Sequence, residues 1–283
     1  MAIDIQALVL HVLQASIVTV VFSYGLVTTP EDLSDVVRVP SRLVRAIIAV
    51  FFIMPLVAFL IGQWLPLTVG IALVALSISP IPPLLPRRMR ESGGAGDFGL
   101  GLLVVLACVS LVTVPLSLAV LARFTEFDLA MPVSKVFLMV AMTVLVPVAA
   151  GMAVRAWAPA VAKRIARPMS LFGFGLLAVL GSALAVKVAP AIWELVGNGA
   201  VLGMSVFILV GLAIGHYVGG PSQRYAEDVA LAAACRHPAI AMAIASANFP
   251  DRKFAAPILL FLILSIVLAT PYLLWLKRRA AQG

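Results

Sequence analysis

The chain has 283 residues, 63% of them hydrophobic and 11% charged. Soluble domains run at about 45–50% apolar and about 25% charged, so the composition excludes a soluble protein and implies one integral membrane domain over residues 1–283. The net charge is +8, but the basic residues stand in short clusters beside apolar runs. That is the pattern of charges that set topology, and no nucleic-acid binding is expected.

A membrane-spanning helix needs about 20 apolar residues. In chain order this ruler gives nine candidates: Ile5–Val27, Leu43–Leu65, Val69–Pro86, Phe98–Leu121, Val133–Ala156, Met169–Val188, Ala200–Val218, Ala230–Phe249 and Ala255–Leu276. The runs are continuously apolar rather than alternating, so helices are expected and a barrel is not. The first run lacks a basic leader and a small-residue cleavage site and is kept as structure. With the N-terminus outside, 14 Lys and Arg fall on the cytoplasmic side against 5 outside. The positive-inside rule then puts the C-terminus in the cytoplasm, and a bacterial inner membrane is the expected location.

Two of the nine spans are interrupted. In "SISPIPPLLPRRMRESGGAGD" four prolines, Pro80, Pro82, Pro83 and Pro86, fall in quick succession. Each removes a backbone donor and clashes with the preceding turn, so no regular helix passes through. In "ACRHPAIAMAIASANFP" Pro238 follows Arg236 and His237 in a run otherwise apolar enough to span. Backbone groups freed at such breaks must be buried in protein or line a wet cavity, and paired interruptions point to a transporter's binding site. Proline position also suggests two halves, residues 1–131 and 132–283, as a four-plus-five inverted repeat.

A guanidinium at mid-span costs roughly 2.5–3.5 kcal/mol on insertion scales and must face protein or water. Arg236 is therefore either an anion-binding group or a strut for freed carbonyls. No intramembrane acid stands out to neutralise it, which favours an anion from outside. His237 is either a proton-coupling group or a neutral ring donating to a carbonyl. Ser79, Pro80, Pro82, Pro83 and Pro238 join these two as the candidate substrate site. Arg87, Arg88 and Arg90, after the first break, are topology determinants or members of an anion pathway. Asp97, Glu227 and Asp228 sit where helices begin and read as helix caps. Cys108 and Cys235 match no metal spacing and read as buried apolar thiols; no metal, cofactor or catalytic dyad is expected.

The order "GLVTTPEDL", a proline-broken span leading to "GDFGLGL", and "YAEDVALAAACRHPAIAMAIASANFP" resembles the bile acid:sodium symporter family and its wider superfamily. The resemblance implies two inverted five-helix repeats, a core and a panel domain, two broken helices crossing in the core, and substrate between core and panel. This chain offers no counterpart of the family's first span. The resemblance also implies a Ser-Asn pair after the first break, hydroxyls in the next helix, and a Glu with a Gln in the second broken helix. Here those positions hold Leu85 and Pro86, Gly101 and Val105, and Ala232 and Arg236.

The expected fold is therefore an all-α polytopic membrane protein of nine transmembrane helices. The expected function is secondary transport of a small organic anion by alternating access, independent of sodium, with Arg236 standing about where a coupling ion would bind. Two rivals stay open: a sodium-coupled organic anion symporter whose ion site uses backbone carbonyls, and a membrane sensor or scaffold that transports nothing.

Overall fold

The computed structural model describes residues 5–82, 96–125, 129, 131–220 and 223–280. Among these it is all-helical, without strands. The helices are α1 Ile5–Gly25, α2 Pro30–Arg38, α3 Pro40–Ile48, α4 Met54–Gly62, α5 Leu67–Ile78, α6 Gly96–Phe124, α7 Val133–Val140, α8 Val146–Trp157, α9 Pro159–Trp193, α10 Ala200–Gly219, α11 Gln223–Ala234, α12 Pro238–Asn248 and α13 Ala255–Ala280.

Seven stretches are long and apolar enough to cross a membrane, among the described residues. Seven of the nine expected spans coincide with them, within a few residues or as part of a longer helix. The other two differ. In the first, His11–Gly25 forms with α2 a pair apolar enough to cross, bent by 97° at the break between them. Thr29 and Asp32 build this bend as a capping box: Asp32 N–H donates to the Thr29 hydroxyl at 3.1 Å and Thr29 N–H to the Asp32 carboxylate at 2.7 Å. That start signal, with Pro30 at the first helical position, launches α2 in a new direction. Among its described residues, the third candidate is helical over Leu67–Ile78, a stretch too short to span by itself.

Two spans carry a π-bulge. Residues Ala49–Ile53 join α3 to α4, and Ala141–Leu145 join α7 to α8. Each bulge is followed at once by a proline, Pro55 or Pro147. A proline offers no N–H to the preceding turn, and widening that turn is one way a helix absorbs it.

Two packing groups result. Helices α1, α8 and α9 pack on one another. Gly25 of α1 and Gly151 of α8 let those two backbones touch, since a Cβ on Gly25 would come within 2.9 Å of the Gly151 Cα. The remaining helices surround the two interruptions and hold the main apolar core, from Met54 through Leu73, Leu106 and Phe207 to Ala241 and Phe261. There α10 lies against α11: a Cβ on Gly211 would come within 2.9 Å of the Ala234 Cα, and Gly215 and Gly219 meet Ala230 and Ala226 in the same way. Small residues at such spacing let membrane helices approach closely.

Candidate functional site

The second interruption is the three-residue break Cys235–Arg236–His237 between α11 and α12. The first begins at Ser79, where α5 stops. The two breaks touch: His237 N–H donates to the Pro80 carbonyl at 3.0 Å. In a continuous helix that N–H would have served the Ala233 carbonyl four residues back. Its diversion to the other break orphans the Ala233 oxygen.

Prolines orphan two more carbonyls. The donor four residues after Ser79 would be Pro83, which has no N–H. In the π-bulge Met54 N–H reaches back five residues to the Ala49 carbonyl. The next donor in that register would be Pro55, so the Val50 carbonyl receives nothing from its own helix.

One side chain collects all three oxygens. Arg236 Nη2 donates to the Val50 carbonyl at 3.0 Å and to the Ala233 carbonyl at 3.2 Å, and Nη1 donates to the Ser79 carbonyl at 3.4 Å. Arg236 is 2% exposed, the bulkiest of the buried side chains. Its cost in the membrane is offset by three backbone oxygens that would otherwise be unmet, each worth about 1–3 kcal/mol when left buried and unsatisfied. A fixed cation ringed by carbonyls is also what a bound metal ion would be in the same place.

Two polar atoms are left over. Arg236 Nε and His237 Nε2 are buried and, among the described residues, have no hydrogen-bond partner. The tautomer of His237 follows from its cap: Ile240 N–H donates to Nδ1 at 3.4 Å, so a neutral ring carries its proton on Nε2. The ring's Nδ1 thus accepts from the backbone, whereas one of the two readings of the sequence had the ring donating to a carbonyl. Both leftover atoms are then N–H donors, on adjacent residues, sealed from water.

Of the sequence candidates, Ser79, Pro80, Arg236 and His237 are brought into direct contact. Pro82 is buried next to them in sequence, and Pro238 starts α12, half-buried. Pro83, Leu85, Pro86, Arg87, Arg88 and Arg90 lie outside the described residues. Ala232 is fully buried among apolar side chains. A Cβ on Gly101 would come within 2.6 Å of the Asp32 carbonyl, so backbone packing against α2 occupies one of the two expected hydroxyl positions.

Glu227 and Asp228 are not first-turn caps. Helix α11 begins at Gln223, which puts both acids in its second turn, and they are 2% and 0% exposed. The Asp97 side chain lies outside the described residues. Cys235 is buried as expected, but Cys108 is exposed. Sequence reading also missed Val50, whose part is set by Pro55 five residues on; a proline inside an apolar run was the available signal.

Beside the breaks, on the half of the molecule toward α4, α5, α6 and α12, lies an apolar cavity of about 280 Å³. It runs from Gln63, Thr125 and Asn248 at its polar rim to Ile78, the last helical residue before the first break.

No individual curated protein matches the chain. The profile of the sodium bile acid symporter family matches residues 15–194, which takes in the first break and the π-bulge of Val50 but ends before Arg236. With more than half of its length matched, this helical membrane protein belongs to the sodium bile acid symporter family, a family of transporters.

Proposed function

We propose that the protein is a secondary transporter of a small organic anion that works without sodium. The observation that carries this reading is the pair of sealed donors, Arg236 Nε–H and His237 Nε2–H, at the contact between the two breaks. An unpaired buried donor is costly, and an anionic oxygen is the ligand that pairs it. The guanidinium charge, only partly answered by carbonyl dipoles, adds attraction of the same sign.

Sodium independence follows from the occupancy of the carbonyls. A hard cation takes several oxygen ligands, and three of the oxygens freed at the breaks and the bulge, those of Val50, Ser79 and Ala233, are already taken by Arg236. Ala232, at the family's acidic position, offers no side-chain carboxylate there. A carbonyl-built sodium site at the contact of the breaks would compete with Arg236 for these oxygens.

On this reading the helices around the breaks form the core, the trio α1, α8 and α9 is the panel that moves against it, and the apolar cavity receives the substrate's hydrocarbon part from outside. The nine-span, four-plus-five inverted repeat and the outside N-terminus in an inner membrane belong to the same proposal.

The test is uptake of radiolabelled cholate, benzoate and sulfate into proteoliposomes, with an inward sodium gradient or with potassium in its place. Saturable uptake of at least one anion, equal under both conditions and lost in Arg236→Gln, is expected. Uptake that needs sodium would favour the symporter rival, and no uptake of any anion would favour a scaffold.

A further inference from the structure

The buried acids of α11 have no task in the reading above. Asp228 is 0% exposed and, among the described residues, neither of its carboxyl oxygens has a hydrogen-bond partner. Glu227, its neighbour in sequence, is 2% exposed. Both lie close enough to Tyr272 of α13 to act on its charge, and the Tyr272 hydroxyl is held by His216 Nδ1 of α10 at 2.8 Å. A carboxylate charge sealed without a partner is among the most expensive groups to bury.

We propose that Asp228 is a proton-binding site that couples transport to a proton gradient, in place of the absent sodium. A proton neutralises the carboxylate by forming one O–H bond and needs no further ligand. A sodium ion would need several oxygens, and no group of three or more His, Cys, Asp or Glu suited to a metal occurs among the described residues. The inference builds on the sodium-independent reading, which leaves the driving gradient open.

Placement supplies the coupling. Asp228 and Arg236 lie on one interrupted element, eight residues apart, about 12 Å along a helix. Any rearrangement of α11 that admits substrate at the break also moves Asp228 relative to α10 and α13. Coupling requires only that proton affinity differ between the two arrangements.

The other charged and titratable groups around α11 are few. Helix α10 brings His216 and α13 brings Tyr272. Helix α3 brings Arg42, stacked 3.7 Å from the Tyr225 ring centre, and Arg45, near Gly220. The π-bulge Ala49–Ile53 is wholly apolar. On α6 the described candidates are exposed Cys108 and Arg123 of its last turn. The side chain of Arg224, one turn before Asp228, lies outside the described residues.

Infrared difference spectroscopy of the reconstituted protein at neutral pH reads the protonated carboxyl without any ligand. The expected result is a carboxylic C=O band in the wild type that disappears in Asp228→Asn and survives in Glu227→Gln. A wild type without the band, or a band lost only in Glu227→Gln, would overturn the assignment. The uptake assay supplies the second arm with the same three anions. One coupled proton raises the accumulation limit about tenfold per unit of inward pH gradient, and Asp228→Asn removes that dependence. Uptake indifferent to the gradient overturns the coupling and leaves the anion reading intact. Absence of all uptake strikes the anion reading and leaves the infrared bands to decide this one.

Discussion

The interrupted span Tyr225–Asn248 and the long helix Pro159–Trp193 are both apolar enough to cross a bilayer, yet over an 18-residue apolar stretch of each, 72% of one is buried inside the protein and only 6% of the other. The first holds an arginine, a histidine and two acids in its interior. The second carries charge toward its ends and turns Phe172, Val179 and Val186 outward. Polar chemistry in a membrane protein is affordable only where protein replaces lipid on every side. On the proposed reading, the difference separates the part of the molecule that binds from the part that slides.

Each of the two packing groups has an arginine on a backbone carbonyl, which makes the contrast measurable. Arg236 serves three carbonyls in the interior; Arg155 of α8 reaches the Val27 carbonyl at the end of α1, half-buried. Arg236→Ala strips three buried oxygens at once and should cost about 3 kcal/mol or more, read as a lowered unfolding midpoint. Arg236→Lys keeps the charge but not the fork that spans the oxygens, so it should fall between alanine and wild type. Equal stability of all three proteins would erase the distinction.

Pro55→Ala sharpens it in another way. The new N–H can serve the Val50 carbonyl or close the bulge, and either competes with Arg236. A proline in a helix interior costs ~3 kcal/mol, so stability should hold or rise while anion uptake falls. A loss of stability with normal uptake would show that the bulge does not serve the site. The smallest effect belongs to the periphery: Arg155→Ala should cost about 1 kcal/mol, one partly exposed hydrogen bond, with uptake reduced less than twofold.

Much of this architecture was legible in sequence because hydropathy reports spans directly. The breaks were legible too, since Pro80, Pro82 and Pro238 forbid regular helix wherever they stand. Which carbonyls Arg236 takes was not, because Val50, whose oxygen is freed by Pro55, is 186 residues from the arginine. Pro55 and Pro147 sit in uninterrupted apolar runs, where a hydropathy window does not register them. Glu227 and Asp228 read as caps because the apolar run starts near Ala230, while α11 starts at Gln223. Nothing in a single sequence says that the first turns of α11 are already inside the protein. His237 was found for its ring, yet its backbone N–H makes the contact that joins the breaks.

Equilibrium binding of radioactive sodium to the purified protein, wild type beside Arg236→Gln, tests most directly whether a side chain has taken the place of the metal ion. With the three carbonyls held by the guanidinium, the wild type should bind no saturable sodium at any concentration that keeps it folded. Saturable binding to the wild type, displaced by unlabelled sodium but not by potassium and lost when the breaks are altered, would contradict the fixed cation outright.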